Sequence, residues 1–282
     1  RFDDRVTGNV EKYAKQAMVV HLEIDPSEMN KIIKAHAPVL GDAKESIAYL
    51  LPLINGKKRK DWLQRFKTCS EIEYEKVIHF AKNPDTEKLL MSEVIDKLNI
   101  ISKGNAIVVT DVGQHQMITS RYYKCAKPNQ YVTSGGLGTM GFGLPAAIGA
   151  KIAKPECEVI AILGDGGFQM TMQELGTIMQ SDIKVKILIL NNNFLGMVRQ
   201  WQQLFFDKRY SFTEMKNPDF ITIAKAYGIS GKKVTERMNL IEELTNFYTC
   251  KQSFLLEVVV ENEENVFPMI TTGASVSEII LE

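Results

Sequence analysis

Short apolar runs bounded by turn residues recur along the chain, and from residue 86 onward they alternate regularly with helix-patterned stretches. Residues 17–24 (AMVVHLEI) predict a strand. Asp25-Pro26-Ser27-Glu28 then offers an N-cap, a first-turn proline and an acidic first turn, which predicts a helix running toward His36. A short strand at Val39-Leu40 and a helix over 42–53 follow. Residues 55–84 are charged and helix-patterned around Trp62 and Phe66, without a strand, and read as a linker. Strands are predicted at 106–110, 131–133, 158–163, 185–190 and 254–260, with helices between them. This alternation predicts an α/β fold with a doubly wound parallel sheet, preceded by the tail of a second α/β domain. The expected boundaries are 1–57 for that tail, 58–84 for a helical linker and 85–282 for the main domain.

Within the main domain the strand over 159–163 ends in Gly164-Asp165-Gly166-Gly167, and the next strand ends in Asn191-Asn192-Asn193. Asp165 and Asn192 therefore sit just past the carboxyl ends of two strands that one crossover makes parallel, the edge where such sheets bind ligands. A carboxylate, an amide oxygen and a nearby backbone carbonyl are hard oxygen ligands. They suit Mg²⁺, which commonly bridges one or two protein groups to phosphates. Gly166 and Gly167 allow the backbone to approach a phosphate with no Cβ in the way. Gly-Asp-Gly alone is a common turn; paired with an Asn-rich strand end at βαβ spacing it is far more specific. The chain has no GxxxxGK[ST] and no GxGxxG opening a helix after a strand, which removes the support for P-loop and dinucleotide-binding readings.

Composition narrows the partners. The 282 residues are 45% hydrophobic and 24% charged, enough for one large domain or two smaller ones. Lys+Arg 34 against Asp+Glu 34 leaves no bulk field to attract nucleic acid or an anionic membrane. The basic run Lys57-Lys58-Arg59-Lys60 reads as a solvated linker face. Cys69, Cys125, Cys157 and Cys250 are scattered without a CxxC pair, which argues for a reducing compartment and against a zinc or disulfide framework. No apolar run reaches transmembrane length, no signal peptide opens the chain, and a start at Arg1 without a methionine reads as a fragment.

The Gly-Asp-Gly…Asn-Asn pattern resembles the signature of thiamine-diphosphate enzymes. RFDDRVTGN at 1–9, DVGQHQM at 111–117, TSGGLGTMGFGLPAAIGA at 133–150 and GMVRQWQQLFF at 196–206 are similar to one branch, the catalytic large subunits of acetohydroxyacid (acetolactate) synthases. The resemblance spans essentially the whole chain. It implies the tail of a central FAD-associated domain followed by a complete diphosphate-binding domain. It implies thiamine diphosphate, Mg²⁺ and FAD as cofactors, and carboligation of pyruvate with a second 2-ketoacid as the activity. The products would be acetolactate or acetohydroxybutyrate, early in branched-chain amino-acid synthesis.

By the same resemblance Asp165 and Asn192 ligate Mg²⁺ through their side chains and Phe194 through its carbonyl, while Gln114 and His115 contact the diphosphate. Gly138, Thr139 and Met140 hold the aminopyrimidine, with the Gly138 carbonyl accepting from its amino group and Met140 supporting the cofactor's bend. Met197 and Trp201 share a helix face, and Trp201 favours 2-ketobutyrate as second substrate. Arg5 contacts the substrate carboxylate. Arg1, Phe2 and Asp3 lie along FAD, as do residues near Glu23 and Asp42. The glutamate that activates the pyrimidine comes, in this family, from the N-terminal domain of a second subunit. The chain by itself is thus expected to lack turnover, and Glu174 reads as structural. Further expectations are a homodimer, a small regulatory subunit, and a cytoplasmic location, or an organellar one in a eukaryote. The competing readings are another thiamine-diphosphate enzyme (a pyruvate oxidase, a glyoxylate carboligase, a catabolic acetolactate synthase) or, for this chain, a non-catalytic binding or dimerisation module.

Overall fold

A computed structural model describes residues 2–271 and 273–282. Contacts divide the chain into two units, residues up to His79 with Phe267–Glu282, and Phe80–Val266. The sequence reading carried the last domain to residue 282. The final segment instead joins the first unit, where Asn9 N–H donates to the Ala274 carbonyl (2.8 Å) and Lys12 pairs with Glu278 (3.1 Å).

The first unit runs α1 (Asp4–Thr7), β1 (Val20–Glu23), β2 (Ala37–Leu40), α2 (Ala43–Leu50), a 3₁₀ turn (Leu51–Leu53), α3 (Lys60–Glu73) and a π-helical turn (Tyr74–Ile78). β1 and β2 pair in parallel. The Asp42 carboxylate caps α2 by accepting from the N–H groups of Lys44 and Glu45, the role its position before an apolar-periodic run predicts. The helix expected after Asp25 does not form, and 26–33 are turns and bends. Asp25 accepts from Ser27 N–H as in a helix start, but Asn30 adopts φ +61° and its side chain accepts from Ala35 N–H, which turns the chain back. α3 buries none of its residues, and Trp62 and Phe66 pack edge-to-face on each other at 4.6 Å.

α4 (His79–Lys82) crosses the boundary between the units. The second unit then alternates strand and helix. It comprises α5 (Met91–Ser102), β3 (Ile107–Thr110), α6 (Gln114–Tyr122), β4 (Tyr131–Thr133), α7 (Gly143–Ala153), β5 (Val159–Gly164) and α8 (Asp165–Thr171). α9 (Leu175–Ser181), β6 (Lys186–Asn191), α10 (Gly196–Phe205), α11 (Phe220–Ala226), β7 (Ser230–Val234), α12 (Arg237–Thr249) and β8 (Phe254–Val259) complete it. The six strands are all parallel in the order β4-β3-β5-β6-β8-β7, the doubly wound sheet that the alternation predicts.

β5 and β6 are buried at every position, as expected of central parallel strands covered on both faces. Their near-continuous apolar sequences, VIAILG and KILILN, carry that burial. β7 escaped prediction because it is an edge strand, SGKKV, in which only Val234 is buried. The α5 N-terminus has no cap of its own. Glu264 supplies one from across the unit, its carboxylate accepting from Met91 N–H (2.7 Å), Ser92 N–H (3.4 Å) and Ser92 Oγ (2.8 Å).

Candidate active site

From β3 the chain passes to β4 on one side and, through α7, to β5 on the other, so strand order reverses between β3 and β5. Open parallel sheets bind ligands outside the carboxyl ends of the strands at such a reversal. A cleft of about 230 Å³ opens there. Of the residues expected at a site, Gln114, His115, Met140, Asp165, Gly166, Gly167, Asn192, Phe194 and Met197 line it together.

Two turns leave the sheet at this edge with little room for side chains. A Cβ on Gly164 would stand 2.9 Å from His115 Nδ1, and one on Gly167 would stand 2.4 Å from Asp111 Oδ1. The imidazole of His115 thus rests on the end of β5. Burial pushes His115 down to about 4 against the opposing pull of Asp111, so the ring is neutral at pH 7. Its Nε2 is buried and has no hydrogen-bond partner among the described residues. Such a nitrogen in a cleft wall is a natural contact for a ligand oxygen or hydroxyl. The α6 N-terminus beside it adds outward N–H groups that favour an anion.

Asp165 opens α8 and is buried, and that burial raises its carboxyl to about 6 despite hydrogen bonds from Asn217 and nearby backbone N–H groups. Asn217 Nδ2 donates to Asp165 Oδ2 at 2.7 Å. Across the cleft floor Asn192 Oδ1 accepts from Phe194 N–H (3.2 Å), and Asn192 Nδ2 reaches Gln114 Oε1 at 3.4 Å. The Gln114 amide is held from behind, donating to Gln200 Oε1 (3.0 Å) and to the Glu264 carbonyl (2.8 Å). Gly196 makes room for this cluster, since a Cβ there would lie 2.0 Å from Gln114 Oε1.

Other expected residues stand apart from the cleft lining. Gly138 and Thr139 are exposed, and of that segment only Met140 lines the cleft. Trp201 lies one turn beyond Met197 on α10 and packs on Phe205 at 4.8 Å. Phe2, Asp3 and Arg5 belong to the first unit, where Arg5 pairs with Asp3 at 3.2 Å, and Arg1 lies outside the described residues. Glu174 accepts from Thr177 Oγ1 (2.7 Å) in the 3₁₀ turn between α8 and α9.

Comparison with known proteins assigns the fold and the cleft to a family. Residues 111–258, just over half of the chain, match the domain described as "Thiamine pyrophosphate enzyme, C-terminal TPP binding domain". The chain belongs to the thiamine pyrophosphate enzymes. Residues 1–50 match the central domain of the same enzymes. Thiamine pyrophosphate, the same molecule as thiamine diphosphate, is the ligand of this domain. Similar curated proteins include the acetolactate synthase isozyme 2 large subunit of Escherichia coli K12, at 41% identity over 99% of this chain and 50% of the relative. The Lactococcus lactis acetolactate synthase large subunit is 43% identical over 99% of this chain and 48% of the relative. The mitochondrial acetolactate synthase of Schizosaccharomyces pombe is 42% identical over 100% of this chain and 44% of the relative. The chain thus spans about half the length of the curated relatives it matches.

The cleft of this thiamine pyrophosphate enzyme fits a metal–diphosphate group on chemical grounds. Its described lining holds no lysine or arginine, and Asp165 is its only carboxylate. A diphosphate and a desolvated carboxylate brought together there repel each other unless a cation lies between them, and a divalent ion neutralises both. Among the described residues no group of three or more His, Cys, Asp or Glu could hold a metal by themselves. The structure also adds residues that motif reading passed over. Asp111 is wholly buried and accepts from the N–H groups of Val112 (2.8 Å), Gly141 (3.1 Å) and Gly143 (2.8 Å), so it anchors the segment carrying Met140. Its signal was an acidic residue directly after an apolar strand. Gln200 lay within the GMVRQWQQLFF segment without an assigned role, and Asn217 and Glu264 carried no comparable signal.

Proposed function

We propose that the intact protein is a thiamine-diphosphate- and Mg²⁺-dependent carboligase of the acetolactate synthase kind. It joins pyruvate, with loss of CO₂, to a second 2-ketoacid, giving acetolactate or acetohydroxybutyrate for branched-chain amino-acid synthesis. The observation that carries this reading is the meeting of Asp165, Asn192, His115 and Met140 in one cleft at the sheet's reversal point. The acetolactate synthases to which nearly the whole chain is similar supply the reaction type. When bound, thiamine diphosphate provides the electron sink for decarboxylation and carbon–carbon bond formation. The protein's part is to hold and orient. Asp165 and Asn192, with the Phe194 carbonyl, hold Mg²⁺; His115, Gln114 and the α6 N-terminus hold the diphosphate. Gly138, Thr139 and Met140 hold the aminopyrimidine end, Met197 and Trp201 shape the acceptor side, and Arg5 meets a substrate carboxylate.

The domain reading, a central-domain tail before residue 58 and a diphosphate-binding domain after residue 84, belongs to the same proposal. So do a homodimer, a smaller regulatory companion and a cytoplasmic or organellar location. No described helix is long and apolar enough to cross a membrane. The pyrimidine-activating glutamate is proposed to come from the N-terminal domain of a second subunit. In that reading the chain by itself anchors the cofactor without turning over.

The recess lined by Phe2, His21 and Glu23 is about 10 Å³, far below a flavin, and the carboxylates of Glu23 and Asp42 are engaged by neighbouring backbone N–H groups. FAD binding is therefore proposed only for the intact protein, with no step assigned to it.

The deciding experiment is product analysis of the intact protein given pyruvate, with and without 2-ketobutyrate, plus thiamine diphosphate and Mg²⁺. Acetolactate, and acetohydroxybutyrate when 2-ketobutyrate is present, are expected. Acetyl phosphate with peroxide, or reaction of glyoxylate alone, would assign the protein to another branch.

A further inference from the structure

Asn217 belongs to no strand and no sequence motif, yet its side chain holds Asp165, a residue of the cleft lining, from behind. Its Nδ2 faces three oxygens at once: Asp165 Oδ2 at 2.7 Å, Asn191 Oδ1 at 2.9 Å and Asn193 Oδ1 at 3.1 Å. A bridge between Phe194 and Glu214 delivers it there. Leu195 N–H donates to the Thr213 carbonyl (2.8 Å) and Met215 N–H to the Asn193 carbonyl (2.9 Å).

The direction of each hydrogen bond in this cluster is fixed at both ends, which settles which way the amides point. At one end, Gln169 Nε2 donates to the Asp165 carbonyl (3.2 Å), which can only accept. The same Nε2 lies 2.9 Å from the Asn217 side chain, so the atom facing it is Oδ1, and Nδ2 must face the carboxylate. At the other end Glu257, buried on β8 and paired with Lys233 at 3.0 Å, accepts from Asn191 Nδ2 at 2.7 Å. Asn191 therefore turns its Oδ1 toward Asn217. Every amide in the row from Gln169 to Glu257 has one allowed orientation.

We infer that Asn217 is a positioning residue for the metal site, holding the Asp165 carboxylate and the 191–193 loop in one arrangement before a cation binds. The inference rests on the proposed reading of Asp165 and Asn192 as metal ligands. An amide suits the task better than a lysine or arginine. It orients the carboxylate without neutralising it, so the charge that attracts a cation is kept. Because two hydrogens serve three oxygens, the three groups are drawn together around one nitrogen. The consequence is selectivity as well as affinity. Mg²⁺ demands near-ideal octahedral geometry, whereas Ca²⁺ tolerates irregular coordination. Loosening the carboxylate should therefore harm Mg²⁺ binding more than Ca²⁺ binding.

The test is calorimetric titration of the intact protein with Mg²⁺ and, separately, Ca²⁺, each at saturating thiamine diphosphate. Asn217→Ala is expected to weaken Mg²⁺ binding about 10- to 100-fold, the usual range for a residue that orients a ligand, and Ca²⁺ binding by less. Gln169→Met, which frees the Asn217 amide to turn without touching the carboxylate, should change the ratio of affinities in the same direction by a smaller factor. It decides the matter if Asn217→Ala does not fold. Asp165→Ala separates the two levels of the reading. If it abolishes Mg²⁺ binding while a folded Asn217→Ala or Gln169→Met leaves the Mg²⁺/Ca²⁺ ratio unchanged, the positioning role is overturned and the metal site stands. If Asp165→Ala binds Mg²⁺ as before, the metal assignment itself is overturned.

Discussion

On the floor of the cleft Asp165, Asn191, Asn192 and Gln114 each have a designated partner, and the glycines between them leave no space for a Cβ. On the segment leading to Met140 the opposite holds. Residues 135–139 are exposed, Leu137 is 93% exposed, and nothing stands within 4 Å of a Cβ built on Gly138. That segment is held at its base, on one side through Asp111 and through Thr171, whose hydroxyl donates to the Gly141 carbonyl (3.0 Å), and on the other through Ser134, whose carbonyl and hydroxyl accept from the N–H groups of Gly138 (3.0 Å) and Thr139 (3.1 Å). The difference separates two tasks. On the proposed reading the floor would hold a metal–diphosphate group, which is small, highly charged and intolerant of misplacement, and its hydrogen-bonded residues all lie inside one unit. On the reading proposed above, the exposed segment would face the pyrimidine and substrate, where other segments would add their contacts.

The comparison breaks most visibly if the floor works without a cation. Stripping divalent metal with EDTA should weaken thiamine diphosphate binding to the intact protein by more than about 100-fold, beyond what an outer partner contributes, because the described lining offers no cationic side chain. Calorimetry with and without Mg²⁺ reads this directly, and equal affinities would remove the metal from the account. Next in size is the anchor shared by floor and rim. Asp111→Ala leaves two buried N–H groups, on Gly141 and Gly143, without acceptors, a loss of about 2–5 kcal/mol in unfolding free energy, measurable by urea denaturation.

Gly196→Ala should cost about 1–3 kcal/mol by overpacking and lower cofactor affinity, since the new methyl meets Gln114 and Asn192. Gly138→Ala, by contrast, meets open space and carries only the strain of φ +64°, about 1–2 kcal/mol. If thermal melts rank these two in the reverse order, the contrast between floor and rim is wrong. Smallest in stability, and most telling for the rim, is Trp201→Leu. At 37% exposure it should stay within about 0.5 kcal/mol of the parent. Yet it should lower the share of acetohydroxybutyrate when pyruvate and 2-ketobutyrate compete.

The sequence made the contiguous parts of this architecture readable. Asp165 and Asn192 stand at strand ends because VIAILG and KILILN are near-continuous apolar runs, and a parallel pair joined by one crossover leaves little choice of where those ends lie. Asp42 announced its helix by position alone. What stayed hidden is of two kinds. Asn30 overrode a sound helix start through a local backbone reversal that Asn tolerates and the following apolar residues do not reveal. Asn217 and Glu264 act on residues as far as 52 and 172 positions away, through side-chain hydrogen bonds that leave no periodicity behind. Edge strand β7 shows the same limit, since a strand with one buried side chain has almost no pattern to read.

The row of amides behind Asp165 also bears on how the protein comes to be made. The groups that complete the floor, Asn217, Glu257 and Glu264, all follow β6 in the chain, while the residues they hold lie before or at its end. A ribosome delivers the ligands first and their clamps last. Between those moments the nascent chain carries a desolvation-prone carboxylate and an asparagine-rich turn with no fixed geometry. Contacts of such long sequence separation form slowly. On the proposed reading, cofactor capture would be a late event in biogenesis, following the docking of β8.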